Sequence, residues 1–238
     1  MKNRIWELDA ARGLALLGMI LIHFMYDLVD LFGVFSWQEP EWCAFIKNNC
    51  GFVFLVISGI SATLGSRSLK RGILVFLCGL LCTAVTAGMY LLGVADEGII
   101  IYFGALHCLG VCMVLWYWLR RLPEWGMVLL GAILTAAGLV LEQVYLDVSW
   151  MLIPFGFCPD WFGSSDFFPL LPNLGFFLLG AALGRRLYRE KKTRLPRISP
   201  QCPPIWLLCA MGRHSLWIYL LHQPVLAGIT MVINWMVS

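Results

Sequence analysis

Four ionisable residues in the first apolar segment have types and spacings suited to proton transfer. Arg12 and His23 are eleven residues apart. On a helix, residues at this spacing lie on the same face, within about 20° of each other, and are separated by roughly 16 Å along the axis. Asp27 and Asp30 extend this face four and seven residues after His23. A guanidinium can hold a phosphate, an imidazole can accept a proton, and a carboxylate can orient that ring. The alternative is that these side chains only reach headgroups, a neighbouring helix and the outer interface.

Two more histidines lie inside later apolar segments. His107 ends the stretch FGALH, and His222 lies in YLLHQP. Pro224 cannot donate a backbone hydrogen bond, which predicts a kink and a free carbonyl beside His222. Ionisable groups inside apolar segments are costly and usually functional, so these two histidines and that of the first segment predict one polar cavity. The fourth, His214, stands beside Arg213 at a segment end, where an interfacial position or phosphate binding fits it.

The composition indicates that membrane helices position these residues. Of 238 residues, 60% are hydrophobic and only 13% are charged, with a mean hydropathy of +0.80. Soluble domains average about 45–50% apolar and about 25% charged residues, which excludes a soluble globule. One crossing takes roughly 20 apolar residues, so we predict an all-α polytopic membrane bundle of about seven or more transmembrane helices. The seven predicted spans are 13–34, 51–65 (extending to about 69), 72–92, 99–119, 125–141, 167–184 and 216–237. A shorter run, 204–211, is predicted to be re-entrant or interfacial.

The distribution of the 17 Lys and Arg residues predicts the orientation. In the seven-span arrangement sixteen of them fall on one side and only Lys47 falls on the other. Positive loops stay in the cytoplasm, so we expect a cytoplasmic N-terminus in a multi-pass protein of the cell membrane. The basic run RRLYREKKTRLPR at 185–197 fits a positive-inside anchor, with a surface for anionic groups as the alternative.

The nine cysteines do not predict a metal site. The pairs with helical spacing inside predicted spans are Cys78/Cys82 and Cys108/Cys112. No histidine or carboxylate shares that spacing, and small residues are common where membrane helices pack. Cys43 and Cys50 fall in the first predicted outer loop and Cys158 in the third, where an oxidising exterior leaves a disulfide open.

Seven stretches of the chain resemble motifs of one protein family, and they occur in the same order as in that family. They are RIWELDAARGLA (4–15), MILIHFMYD (19–27), FLVISG (54–59), KRG (70–72), FGALH (103–107), DFFPLLPNLG (166–175) and GRHSLWIYLLHQP (212–224). Together they resemble the transmembrane acyltransferases related to heparan-α-glucosaminide N-acetyltransferase, and more narrowly their short bacterial members. The resemblance covers nearly the whole chain, and the spacing of Arg, ten residues and His is shared with the wider superfamily of membrane O-acyltransferases.

The resemblance implies acetyl-CoA or another acyl-CoA as the donor on the cytoplasmic side and an acceptor across the membrane. The residues then expected to bind the donor are Arg12, Arg67, Lys70, Arg71, Arg213 and His214. Those expected on the acceptor side are Asp30, Asp166 and Asn173. Lysosomal members use a histidine in the lumenal segment after the first span, but residues 34–49 contain none. This departure makes His23 the expected catalytic base.

The function predicted from the sequence is acyl transfer by a single transmembrane acyltransferase domain over residues 1–238. His23 deprotonates an amine or hydroxyl acceptor, and Asp27 orients the ring. His107 or His222 polarises the thioester carbonyl or supports the oxyanion. Direct transfer in a ternary complex is favoured, with an acyl-imidazole intermediate as the alternative.

The predicted partners are the lipid bilayer, the acyl-CoA and a small-molecule or glycan acceptor, without nucleic acid or metal. A homo-oligomer is compatible with the sequence. Two other functional classes stay open: a transporter whose intramembrane histidines relay protons, and a structural or partner-binding membrane protein. The aligned face of Arg12, His23 and Asp27 favours the enzyme.

Overall fold

The computed structural model describes residues 5–31, 40–143, 149–159 and 161–237. Every regular element in these ranges is helical, which confirms the predicted all-α fold. The α-helices are α1 (Trp6–Tyr26), α2 (Glu41–Leu64), α3 (Ser68–Leu91), α4 (Ala105–Leu119), α5 (Glu124–Leu141), α6 (Leu170–Leu187), α7 (Pro203–Arg213) and α8 (Ser215–Val237). A π-helical turn, Asp27–Leu31, continues α1. Short 3₁₀ turns over Glu97–Ile99 and Trp150–Phe155 precede α4 and α6.

Within the described ranges, five helical stretches are long and apolar enough to cross a bilayer, as expected of a multi-pass membrane protein. They are Trp6–Val29, Glu41–Leu64, Ser68–Leu91, Glu124–Leu141 and Ser215–Met236. Exposed apolar side chains follow α3 at Leu74, Leu77, Leu81 and Val85, and an apolar face of this extent suits contact with lipid. The count of seven spans and the cytoplasmic N-terminus stay predictions.

The predicted boundary between the first outer loop and the second span is wrong. Helix α2 begins at Glu41, so Cys43, Lys47 and Cys50 lie within a helix rather than in a loop. No disulfide joins any of the nine cysteines, all of which lie in the described ranges, so the disulfide left open by the sequence is not formed in this structure. The error arises because hydropathy detects the apolar part of a helix, whereas backbone hydrogen bonding continues into its polar end.

Two further boundaries change the setting of predicted site residues. Helix α1 begins at Trp6 rather than at residue 13, so Arg12 lies in its second turn. Helix α4 begins at Ala105 rather than at residue 99, which places His107 in the first turn instead of about two turns inside the span. A helix start is set by backbone hydrogen bonds and capping groups, which an apolar run does not reveal.

The chain divides into two compact units. The first consists of Met1–Phe54 and Lys191–Ser238, and it holds α1, the beginning of α2, α7 and α8. The second is Leu55–Glu190, with the rest of α2 and helices α3 to α6. A single domain over residues 1–238 stays a prediction.

In the first unit, glycines bring α7 against α1. A Cβ added at Gly13 would lie 2.0 Å from the carbonyl oxygen of Leu208, and one added at Gly212 would lie 1.8 Å from that of Asp9. Small residues permit such close backbone approach between helices in lipid. Helix α7 has 11 residues, about 16 Å, so it is a short helix fixed alongside α1. This agrees with the expectation that 204–211 does not span.

In the second unit, helix ends are held by an arginine from the basic run. Arg185, near the end of α6, donates a 2.7 Å hydrogen bond to the carbonyl of Leu122 and another to the carbonyl of Arg120. Its guanidinium also lies 5.7 Å from the centre of the Trp116 ring. The side chain thus satisfies carbonyls where α4 ends and α5 follows, as cations near helix C-termini commonly do.

Candidate active site

Two of the predicted site histidines meet in the first unit. The ring centroids of His23 in α1 and His222 in α8 are 5.0 Å apart, with 61° between the ring planes. Asp27, one turn after His23, accepts a 2.9 Å hydrogen bond on Oδ1 from Nε2 of Gln223. Asp27 is 0% exposed, whereas the other three are half-buried. We call these four residues the His–Asp cluster.

Two irregular pieces of backbone carry the His–Asp cluster. The π-helical turn begins at Asp27, and its i→i+5 hydrogen bonding ends the 100° spacing on which the position of Asp30 was predicted. The side chain of Asp30 lies outside the described residues. Pro224 follows Gln223 within α8. It has no backbone N–H to donate to the carbonyl oxygen of Leu220, so one helical hydrogen bond is missing there. π-helical turns occur frequently at functional sites, so the location of the cluster favours a role beyond packing.

The hydrogen bonds indicate which ring nitrogens can accept a proton. Nδ1 of His222 lies 2.5 Å from the carbonyl oxygen of Tyr219. A carbonyl only accepts, so in the neutral ring Nδ1 carries the proton and Nε2 carries the lone pair. The side chain of His23 makes no hydrogen bond to any described residue, and its ring contact is with His222.

Only one of the two carboxyl oxygens of Asp27 makes a hydrogen bond to a described residue. Oδ1 is bonded to Gln223, and Oδ2 is buried without a hydrogen-bond partner among the described residues, as is Oε1 of Gln223. Asp27 therefore makes no hydrogen bond to either imidazole, and its predicted role in orienting His23 stays a prediction. Gln223 was not among the residues selected from the sequence, although it stands between His222 and Pro224.

An apolar cavity of about 280 Å³ adjoins the His–Asp cluster. It is lined by Ile20 of α1 and by Trp217, Ile218, Leu221, His222, Val225 and Leu226 of α8. Small-molecule sites measure roughly 300–1,000 Å³, so the cavity falls just below that range. Only His222 belongs both to the wall of the cavity and to the cluster.

The predicted donor-binding residues of the first unit gather near the start of α1. Nη1 of Arg12 lies 3.2 Å from Oδ1 of Asp9, one turn earlier. Gly212 packs on the backbone of Asp9, and the next two residues, Arg213 and His214, are exposed where α7 meets α8. The first unit thus brings these three cationic or titratable side chains to one end of α1.

The first turn of α1 also binds the basic connection that precedes α7. Glu7 accepts a 2.8 Å hydrogen bond from the hydroxyl of Thr193 and a 2.7 Å bond from the backbone N–H of Arg194. Nearby, burial and acidic neighbours raise the pKa of the Cys209 thiol, whereas the charge of Arg213 lowers it. An acidic residue in a first helical turn is a common sequence feature, but nothing in the sequence indicated this distant partner.

The remaining predicted donor-binding residues belong to the second unit. Arg67, Lys70 and Arg71 are all exposed at the beginning of α3. Helix N-termini favour anions, so three cations on this turn form a strongly basic surface. Its part in phosphate binding stays a prediction.

His107 also lies in the second unit, where it closes the start of α4. Its Nδ1 accepts a 3.2 Å hydrogen bond from the backbone N–H of Gly104. Its Nε2 is 3.4 Å from Oγ1 of Thr83, which donates to the carbonyl of Ile101 at 2.6 Å. With 2% exposure and both nitrogens engaged, His107 has the contacts of a positioning residue, and the single cavity predicted for three histidines stays untested.

The two acceptor-side predictions in the second unit also have local partners. Oδ2 of Asp166 accepts a 3.1 Å hydrogen bond from the backbone N–H of Ala105 and so caps α4. Nδ2 of Asn173 donates a 2.8 Å bond to the carbonyl of Pro169. Both residues position the backbone around the start of α4 and α6, and their contact with an acceptor stays a prediction.

Comparison with known proteins gives one match. The family model described as heparan-alpha-glucosaminide N-acetyltransferase, catalytic, matches residues 4–224. No curated protein and no solved structure matches the chain. The matched range contains every residue of the His–Asp cluster and every predicted site residue. Among the described residues, no group of three or more His, Cys, Asp or Glu side chains could hold a metal ion.

Proposed function

Because this chain belongs to the family of the heparan-alpha-glucosaminide N-acetyltransferase catalytic domain, we propose that it transfers an acetyl or another acyl group from the corresponding acyl-CoA to an amine or hydroxyl acceptor at the membrane. The observation that carries the mechanism is the His–Asp cluster, in which two imidazoles lie 5.0 Å apart beside a fully buried carboxyl group. Ionisable groups inside membrane helices are energetically costly, and those that are present usually serve a function.

In the proposed step, His23 is the general base. Its ring has no hydrogen bond to a described residue, so a ring nitrogen can accept the acceptor's N–H or O–H proton. The acceptor nitrogen or oxygen then forms a bond to the thioester carbonyl carbon. The carbon–sulfur bond breaks, and the CoA thiolate leaves and takes the proton from His23.

The donor enters this scheme from the start of α1. Arg12, Arg213 and His214 bind its phosphates by charge-assisted hydrogen bonds. Arg12 and His23 are roughly 16 Å apart along a helix axis, a distance that the extended arm of CoA can bridge. The phosphates would thus be held at one end of α1 while the thioester reaches the His–Asp cluster.

The test is turnover of acetyl-CoA by the purified protein, with glucosamine and glycerol as amine and hydroxyl acceptors and release of the CoA thiol as the signal. His23→Ala should lower kcat by roughly 10²–10⁴-fold, the usual contribution of a general base. Stabilisation by acetyl-CoA should remain, at roughly 2.7 kcal/mol when the ligand is at about 100 times its Kd. Normal turnover by His23→Ala would refute the assignment of the base.

A further inference from the structure

We propose that Gln223 is a positioning residue of the His–Asp cluster: it holds the Asp27 carboxyl group and thereby sets the placement of His23 against His222. The inference rests on the proposed function for its catalytic consequence. Its structural basis is the 2.9 Å hydrogen bond from Nε2 of Gln223 in α8 to Oδ1 of Asp27, the residue that follows α1.

The bond joins the two elements at the level of the two imidazoles. Asp27 lies one helical turn after His23, and Gln223 is the chain neighbour of His222. A contact that fixes Asp27 against Gln223 therefore also fixes the separation of the two rings, now 5.0 Å between centroids. Loss of the contact would let α8 shift against α1, and displacements of about 1 Å can lower turnover about 100-fold.

The incomplete hydrogen bonding of this pair argues against a purely structural contact. Oδ2 of Asp27 and Oε1 of Gln223 are both buried without a hydrogen-bond partner in the described part of the chain. An unpaired buried acceptor typically costs about 1–3 kcal/mol, and apolar side chains of similar shape would avoid that cost. Such exceptions call for an explanation, and a contact retained because it positions the two imidazoles provides it.

The backbone around the pair is also unlike that of a plain helix contact. Asp27 is the first residue of the π-helical turn, and Gln223 directly precedes the proline inside α8. Both irregularities weaken the regular helical hydrogen bonding at that point. A side-chain hydrogen bond between two locally irregular segments is well placed to decide their relative position.

The experiment compares Gln223→Leu with a reciprocal exchange, Asp27→Asn together with Gln223→Glu. Gln223→Leu should lower kcat by about 10-fold or more and leave the KM for acetyl-CoA within about twofold, because only placement in the transition state is lost. The exchange keeps one amide and one carboxyl group of the same lengths, so a hydrogen bond can still join position 223 of α8 to position 27. It should raise both the melting temperature and kcat above those of Gln223→Leu, because the placement of the two rings is recovered. A contact that serves stability alone predicts that Gln223→Leu lowers the melting temperature but leaves kcat of the folded protein unchanged, which would overturn the proposal; an exchange that recovers the melting temperature alone would overturn it too.

A matched control in α8 is Thr230→Val. Thr230 is fully buried, and its hydroxyl bonds to carbonyls of its own helix at Leu226 and Ala227. Its replacement removes a buried polar group from the same helix without touching the His–Asp cluster, so kcat should stay at the wild-type value. A loss equal to that of Gln223→Leu would mean that any polar deletion in α8 has this effect, and would overturn the proposal.

A readout independent of turnover separates this inference from the proposed function. The chain has four histidines, so histidine-selective ¹⁵N labelling gives a spectrum simple enough to follow each ring. Gln223→Leu should shift the resonances of His23 and His222 and leave His214 unchanged. Unshifted rings would overturn the positioning role. Shifted rings in a protein that transfers no acyl group would support it while refuting the proposed function.

Discussion

A methyl group added at Gly212 would collide with the backbone of α1. The ideal Cβ at this position lies 1.8 Å from the carbonyl oxygen of Asp9 and 2.6 Å from its carbonyl carbon. Ordinary nonbonded contacts are close to 3.5 Å, and the obstacle is backbone rather than a flexible side chain. Gly212→Ala therefore requires α7 to move away from α1 by about 1.5 Å.

The expected cost follows from two opposing contributions. Overpacking a close contact costs about 1–3 kcal/mol, while replacing Gly by Ala inside a helix returns up to about 1 kcal/mol. Because the clash is with backbone, the overpacking cost falls in the upper part of its range, about 2–3 kcal/mol, so the net loss is about 1–2 kcal/mol. For a chain of this size 1 kcal/mol corresponds to about 2–4 °C, so the melting temperature of Gly212→Ala should fall by about 2–8 °C.

The assay is thermal unfolding of the purified protein in detergent, with Gly228→Ala as the matched control. Gly228 also lies in the first unit, but nothing is within 4 Å of its added Cβ, so that variant should melt at or above the wild-type temperature. Because Arg213 adjoins Gly212, the rise in melting temperature with acetyl-CoA should also be smaller in Gly212→Ala. Identical melting of the two variants would refute the packing argument.

Two further predictions concern single side-chain contacts. Thr83→Val removes the hydroxyl that joins His107 to the carbonyl of Ile101 and leaves buried polar groups unpaired, which should cost about 1–3 kcal/mol; unchanged thermal unfolding would contradict it. Glu7→Ala removes both hydrogen bonds that hold the connection at Thr193. If these bonds stabilise the attached connection by about 1 kcal/mol, their loss raises the population of the detached connection about fivefold. Limited trypsin digestion should then cleave between residues 189 and 197 about five times faster, and an unchanged rate would show that Glu7 does not restrain it.

The predictable part of the fold was the part that depends on local composition. Long apolar runs require helices in lipid, because a helix satisfies its backbone hydrogen bonds within the segment. The same reasoning failed at the polar ends: α2 starts at Glu41, well before its apolar run, and α4 starts at Ala105, later than predicted. Hydropathy carries no information about capping, so the surroundings of His107 could not be foreseen.

The site was predictable to the extent that it lies on one helix. His23 and Asp27 are four residues apart, and helical spacing alone brings them to neighbouring positions. The contact of His23 with His222 was expected only in general terms, from the cost of placing ionisable groups in apolar segments. Gln223 escaped selection because an uncharged amide beside a histidine has no distinctive signal in the sequence.

The sequence by itself determined that this protein is a helical membrane protein with ionisable groups on its first helix, and its motifs indicated the acyltransferase family. Those properties follow from hydropathy, charge and spacing over short stretches. Only the tertiary structure decided that Asp27 pairs with Gln223, which is 196 residues away, and that Glu7 holds the connection before α7. Such pairs depend on which helices pack together and on close approach at residues such as Gly212, and these are properties of the folded chain as a whole.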